Sequence, residues 1–384
     1  MRLFSVTGST IATSLLWVAY SIPAIIIGPI ASASVDMLDR RKVLIISNLL
    51  QAITIFMFIF VYDMNIFLLY GVVFAYSLIN QFYVPAELSS LPHLVEKKVY
   101  PQANSLFFIT QQSMLILGFG IAGLLNQALG FEKSLVLCSI IIFVAFISVT
   151  FLPKMPVKDK IPHNFEDAFF KFFKKIYEGY MFIKGNSVIL APFLLLLVVY
   201  VCSSIVAINI PVIAQDIFII SLDASGIYIV VPAGIGAAIG TLVVPRLIKL
   251  KWRKKKIIDI ALIILSVSLF TIALIVPQLG GLLKNIVSII SVAALGAGFV
   301  AIFIPAQTLL QEKTPGGLRG RVFGNFWFLT TVASVIPILF SGAIAELFGI
   351  SALLLLICAL TISLSIIIEK LGSKLIINGF KINN

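Results

Sequence analysis

Eleven long apolar runs follow one another along the chain, at about 10–34, 43–62, 65–85, 105–126, 134–152, 187–211, 224–245, 257–277, 285–305, 322–343 and 350–368. A helix needs about 20 apolar residues to cross the hydrocarbon layer of a bilayer, so each run predicts one spanning helix. Nothing alternates with period two, and an open strand edge does not survive in lipid. The pattern therefore predicts an all-α integral membrane fold. The first run is too long for a signal-peptide core and is followed by a charged loop, so it reads as a true span.

One long polar stretch, 154–186, divides five spans from six. The expected organisation is an N-terminal helical bundle over 1–153, a linker over 154–186 and a C-terminal bundle over 187–384. Within the linker, Phe165, Phe169, Phe172, Phe173, Ile176 and Tyr180 recur at helical spacing, with Lys171, Lys174 and Lys175 between them. Such a helix either lies in the membrane interface, its lysines toward anionic headgroups, or packs on the bundle as an ordinary linker.

Composition agrees with the pattern: 60% of the 384 residues are apolar and 11% charged, against roughly a quarter charged in soluble domains. The net charge of +12 could suggest nucleic acid, but the basic residues sit in short loops rather than on one face, which excludes it. Of the 28 Lys and Arg, all but Arg2, Lys133 and Lys284 fall in alternate loops on one side. That asymmetry places the C-terminus in the cytoplasm of a cell inner (plasma) membrane protein and, with eleven spans, the N-terminus outside. Cys138, Cys202 and Cys358 lie inside apolar runs and read as packing residues, while His93 and His163 form no ligand group. No metal site and no cofactor is expected, and no cluster for an enzyme.

A weak internal repeat joins the halves. A shift of 220 residues sets Tyr83-Val84-Pro85-Ala86 on Phe303-Ile304-Pro305-Ala306, and Phe107-Phe108-Ile109-Thr110 on Trp327-Phe328-Leu329-Thr330. Gly28, before the first basic loop, matches Gly236 before the second. Parallel repeats of this kind build transporters that rock two bundles about a midplane site.

Particular residues sharpen this. Ser32-Ala33-Ser34-Val35-Asp36-Met37-Leu38-Asp39-Arg40-Arg41-Lys42 resembles the signature loop between helices 2 and 3 of the major facilitator superfamily, with Ser32 and Met37 where that signature has Gly and Arg. Gln81 to Ala86 with Leu91-Pro92-His93-Leu94-Val95, and Gln307 to Glu312 with Thr314-Pro315 and Leu318 to Val322, are similar to its bacterial macrolide-efflux and enterobactin-exporter branch. Leu117 to Gly123 resembles the antiporter motif of helix 5, with Phe119 in place of its proline. Val6-Thr7-Gly8-Ser9 looks like the loop after helix 1, so eleven helices are expected here where the family has twelve.

The resemblance implies two pseudo-symmetric helical bundles and a monomer that moves a small-molecule substrate. It implies a latch of Asp36, Asp39, Arg40 and Arg41 between the cytoplasmic ends of the halves, although these arginines also serve topology. Asn80, Gln81, Gln111, Asn209 and Gln307 stand inside or near the ends of spans, as path-lining groups or as interhelical hydrogen-bond partners. Gly28, Gly118, Gly120 and Gly123 suit close helix approach. The carboxylates Asp36, Asp39, Glu87, Asp259 and Glu312 read as lying near the cytoplasmic edge, which leaves no intramembrane coupling acid. The leading expectation is export of a small amphipathic compound, such as a drug or siderophore, by alternating access. Nutrient uptake on the same fold and a truncated, non-transporting product are the alternatives.

Overall fold

Apolar sequence in lipid must satisfy every peptide group within its own segment, and the chain does so with helices. The computed structural model describes residues 2–36, 38–61, 65, 67–96, 100–155, 165–315 and 319–371; among these no strand occurs. The helices are α1 (Arg2–Thr7), α2 (Thr10–Ile26), α3 (Gly28–Asp36), α4 (Arg40–Val61), α5 (Leu68–Leu94), α6 (Tyr100–Thr150), α7 (Phe165–Gly185), α8 (Ser187–Ile208), α9 (Ile210–Val212), α10 (Val231–Lys249), α11 (Lys254–Phe270), α12 (Gly281–Lys313), α13 (Arg319–Phe348) and α14 (Ile350–Leu371). The described part of every apolar run falls on one or two of them, continued at Gly226–Val230, Thr271–Ile275 and Val276–Gln278 by short π- and 3-10-helical turns. Eight described segments are long and apolar enough to cross a membrane, and Thr10–Ile26 and Ile350–Leu364 are shorter apolar helices.

Two local features cut the long helices. Pro29 has no N–H to give to the carbonyl of Ile25, and α2 gives way to α3 just before it. α6 runs through 51 residues but breaks at Gly130, whose φ of 79° and ψ of 170° belong to a region that side chains exclude. The runs at 105–126 and 134–152 are thus two helices on either side of one glycine.

The chain forms two compact units, Leu15–Lys175 and Met1–Ser14 with Ile176–Asn384. In the first, α4 packs on α5 and α6, and α3 packs on α5. Its core holds Val35, Val43, Leu44 and Ala86, with Phe82, Tyr83, Val149 and Leu152 against it. In the second, α12 packs on α10, α11 and α8, and α14 packs on α11 and α13. One apolar cluster there gathers Ile205, Ile213, Ile217, Leu269, Ile272, Val292 and Leu354; another gathers Ile189, Phe193, Leu196, Leu262, Ile302 and Phe326.

The tightest seam lies between α10 and α12. A Cβ on Gly236 would stand 1.8 Å from the Ala293 carbonyl oxygen, and one on Gly296 would stand 1.9 Å from that of Ala233. The backbones touch, as small residues three apart on each helix permit in a membrane.

Both units repeat the same polar ties. Arg40 at the start of α4 donates from Nε to Ser89 Oγ on α5 at 3.0 Å, and Lys254 at the start of α11 pairs with Glu312 on α12 at 2.6 Å. Further along, Ser139 donates to the Ala52 carbonyl at 3.1 Å, and Cys358 to the Ser266 carbonyl at 3.3 Å. A shift of 214 takes residue 40 to 254 and residue 52 to 266, so the repeat is one of contacts as well as sequence. Outward, Phe60, Leu242, Ile290 and Phe340 are each more than 60% exposed, a surface suited to lipid.

Candidate functional site

α5 carries a polar and aromatic stripe. Tyr76, Asn80, Tyr83 and Glu87 follow one another at steps of four, three and four, which places them on one helix face. All four are half-buried, whereas Phe74, Val84 and Leu88, on another face, are exposed. Tyr83 donates its hydroxyl to Glu87 Oε1 at 3.1 Å, and Asn80 Nδ2 donates to the Tyr20 hydroxyl of α2 at 3.4 Å. Trp17 stands edge-on to Tyr20 with ring centroids 5.6 Å apart.

Around the helix from this stripe, α2 and α3 are stitched to α5. Ser77 donates to the Tyr20 carbonyl at 2.5 Å, Gln81 Nε2 donates to the Ser77 carbonyl at 3.0 Å, and a Cβ on Gly28 would meet Gln81 Oε1 at 3.3 Å. Gly28 therefore stands at a close approach, and Gln81 serves that seam. Gly118 differs, since a Cβ there would meet nothing within 4 Å.

In the other unit, Tyr200 on α8 faces Trp327 and Phe326 on α13 edge-on, at 5.6 and 6.4 Å. Phe299 and Phe303 stack at 5.7 Å along α12. Gln307, half-buried, follows Phe303 by one turn. Asn209, at the joint between α8 and α9, is wholly buried. It donates from Nδ2 to the carbonyl of Ile205 at 2.8 Å and to Ser341 Oγ at 3.2 Å, which ties α8 to α13.

At the start of α4, Asp39 Oδ1 accepts from the Arg41 backbone N–H at 3.0 Å, a cap on that helix. Arg40 holds Ser89, and Arg41 donates to the Thr150 carbonyl at the end of α6. These bonds all lie inside one unit. The side chains of Asp36 and Gln111 and the burial of Gly120 lie outside the described residues, and Gly123 is half-buried on α6.

The sequence reading set Glu87 near the edge of the membrane. Glu87 stands three residues before Ser90, where the apolar span on α5 ends, and seven before Leu94, the last residue of the helix. The helix runs beyond its apolar run because Glu87 and the polar residues after it continue the same hydrogen-bonded turns. Tyr20 was not singled out by the sequence, since an aromatic in an apolar run carries no mark of its partner. Among the described residues no group of His, Cys, Asp and Glu could hold a metal ion.

Two helical units of spanning length, each with polar and aromatic groups inside its spans, define a multi-pass membrane protein. The model of the Major Facilitator Superfamily matches residues 3–338, and the chain belongs to that superfamily, a transporter class and not an enzyme class. An MFS-type transporter of Bacillus subtilis (strain 168), YfiS, described as uncharacterized, is 24% identical across 97% of this chain and 87% of its own length. A second from that organism, YjbB, also described as uncharacterized, is 31% identical over 34% of each chain. Among solved structures, a mutant form of the nucleoside transporter NupG superposes with a TM-score of 0.74 at 14% identity, covering 96% of this chain and 92% of its own. At that identity the likeness concerns the fold.

Proposed function

We propose that this transporter exports a small amphipathic compound across the inner (plasma) membrane by alternating access of two bundles, 1–153 and 187–384, joined by the linker 154–186. The observation that carries the substrate class is the pairing of aromatic and hydrogen-bonding groups in both units: Tyr76, Asn80, Tyr83 and Tyr20 in one, Tyr200, Trp327, Phe303 and Gln307 in the other. Such walls suit a solute with a flat apolar body and a few polar atoms. The direction rests on the exporter-like segments 81–95 and 307–322.

Gln111 extends the proposed path, Gly120 and Gly123 its close helix contacts, and ion exchange supplies the drive of an antiporter. Asp36, Asp39, Arg40 and Arg41 are proposed to latch the cytoplasmic ends of the halves, by a carboxylate near a helix N-terminus and paired arginine. The exposed Phe170, Tyr177 and Met181 of α7, with Lys174 beside them, suit contact with anionic headgroups at the cytoplasmic face, where the basic loops and C-terminus lie. The working unit is a monomer.

Nutrient uptake is the second reading, favoured by the fold shared with a nucleoside transporter. The test uses inside-out and right-side-out vesicles containing the chain, with labelled aromatic cations and labelled nucleosides. Export predicts accumulation of the cation in inside-out vesicles only. Accumulation of a nucleoside in right-side-out vesicles instead would replace export by uptake.

A further inference from the structure

The second unit buries two lysines and provides for only one of them. Lys254, at the start of α11, is 6% exposed and paired with Glu312 at 2.6 Å. Lys284, in the first turns of α12, is 8% exposed, and among the described residues no carboxylate pairs with it. An ammonium taken out of water without a counter-charge is strongly destabilising.

Neither topology nor the fold asks for this lysine. It is one of three cations, with Arg2 and Lys133, on the side of the chain that otherwise excludes them, and Lys133 is exposed. The shift of 220 that sets Pro85 on Pro305 sets Met64, Leu68 and Gly71 on Lys284, Ser288 and Ser291. The first unit thus has no charged or hydroxyl side chain at any of the three places.

Ser288 follows Lys284 by one turn on the same helix face. It is 5% exposed, and its hydroxyl, sealed from solvent, has no hydrogen-bond partner. A helical serine ordinarily donates to the carbonyl four residues back, as Ser266 does to Leu262 at 2.8 Å; Ser288 does not. Helical side chains lean toward the N-terminus, so Lys284 lies over the opening turn of α12. The first helical hydrogen bond there runs from the Lys284 N–H to the Gly280 carbonyl at 3.4 Å. The N–H groups of Gly281, Leu282 and Leu283 precede it and have no helical acceptor.

This face of α12 turns inward. Leu282, Leu283 and Ile290, on other faces, are each more than half exposed, whereas Val292, one turn beyond Ser288, is buried in the apolar cluster with Ile213, Ile217 and Ile272. Three π-helical turns pack on α12, Ile213–Phe218, Gly226–Val230 and Thr271–Ile275, and such turns recur at functional sites. Asp216 of the first is exposed and joins no ion pair with Lys284; Tyr228 of the second is 38% exposed; the third holds no ionisable group. A buried ammonium, an orphaned hydroxyl and open amide groups are all donors, and together they lack a negatively charged acceptor.

We propose that the opening turns of α12 bind a monovalent anion, chloride or the carboxylate group of a small acid, through the Lys284 ammonium and the Ser288 hydroxyl. One ammonium balances one negative charge, which disfavours a dianion such as sulfate. The part of Lys284 that stays exposed gives the anion its entry, and Ser288 closes the inner side. Gln307 lies 23 residues further on, about 35 Å along the helix, so the site is separate from the proposed solute path. The inference does not rest on the export reading, because anion binding is observed on the purified chain without any transport.

Chloride is the first probe, followed through the broadening of its magnetic resonance line by the purified full chain. Saturable broadening supports the proposal if Lys284→Met abolishes it, Ser288→Ala weakens the affinity about tenfold, and Lys133→Met, the same loss of charge at an exposed site, leaves it unchanged. Broadening that is equal in wild type and Lys284→Met overturns it. Displacement of chloride by bromide alone assigns the site to halide, and displacement by acetate assigns it to a carboxylate. Melting curves at constant ionic strength, with a bulky sulfonate making up the balance, give a second readout. Chloride or acetate should raise the melting temperature of the wild type, while Lys284→Met, relieved of an unpaired buried charge, should start higher and stay level. A wild type that gains nothing from either anion, or a Lys284→Met chain that melts lower than wild type without them, overturns the proposal.

Discussion

Lys254 Nζ lies 2.6 Å from Glu312 Oε2, at the place where the other unit joins Arg40 to Ser89. The lysine side chain is 7% exposed and the carboxylate 53%, so the pair is asymmetric. Removing the carboxylate strands a buried ammonium, whereas removing the ammonium leaves a carboxylate that water can reach. Glu312→Ala should therefore cost about 1–3 kcal/mol, and Lys254→Met distinctly less. Thermal unfolding of the purified variants, with the double variant between wild type and Glu312→Ala, checks this. Equal losses from both single changes would refute the asymmetry.

The start of α2 is tied to the end of α13. Glu346 Oε1 accepts from the Ser9 hydroxyl at 2.5 Å and from the Ile11 backbone N–H at 2.9 Å, so a carboxylate distant in sequence caps this helix. A helix N-terminus left without its cap loses about 1 kcal/mol. Glu346→Ala should lower the melting temperature, and Glu346→Gln, which keeps an acceptor oxygen, should lower it less. A melting temperature equal to wild type in both variants would show that the cap contributes nothing.

Gly130 holds φ at 79° in the middle of α6. Any side chain in that region is strained by about 1–3 kcal/mol. Gly130→Ala should thus be destabilising although a Cβ there meets nothing within 4 Å. Gly118 lies in the same element with equally open surroundings and no positive φ, so Gly118→Ala should leave stability unchanged or raise it by up to about 1 kcal/mol. Parallel melting curves separate backbone strain from steric clash.

Asn209 is sealed inside its unit by Ile205 and Ser341. Asn209→Ala should cost about 1–2 kcal/mol through the lost bonds to Ile205 and Ser341, while the binding affinity of any transported probe shifts less than about threefold. A larger change in probe affinity at unchanged stability would return Asn209 to the solute path.

The spans were legible because lipid leaves so few options: a long apolar run has only the helix with which to satisfy its peptide groups. The repeat was legible through Pro85 and Pro305 with their aromatic neighbours. The break inside α6 was foreseen as two runs, but not as one glycine. The seam at Gly236, Ala293 and Gly296 escaped notice because small residues weigh little in any hydropathy pattern. Gly236 was matched to Gly28 without any sign of what it touches. Glu87 reads as a boundary residue, since polar residues after 86 end the apolar run, and the span on α5 closes at Ser90 although the backbone stays helical to Leu94. The sequence also offered no clue that Asn209 and Ser341 meet, as 132 residues separate them.

The contact of α10 with α12 constrains more than packing. With Ala293 against Gly236 and Ala233 against Gly296, neither helix can roll or slide without driving a carbonyl into the other's backbone. The two helices behave as a single rigid plank, and any bending during the working cycle must be accommodated at its other borders. That plank also narrows how this part of the sequence can drift, because even one added methyl group on either face would wedge it apart.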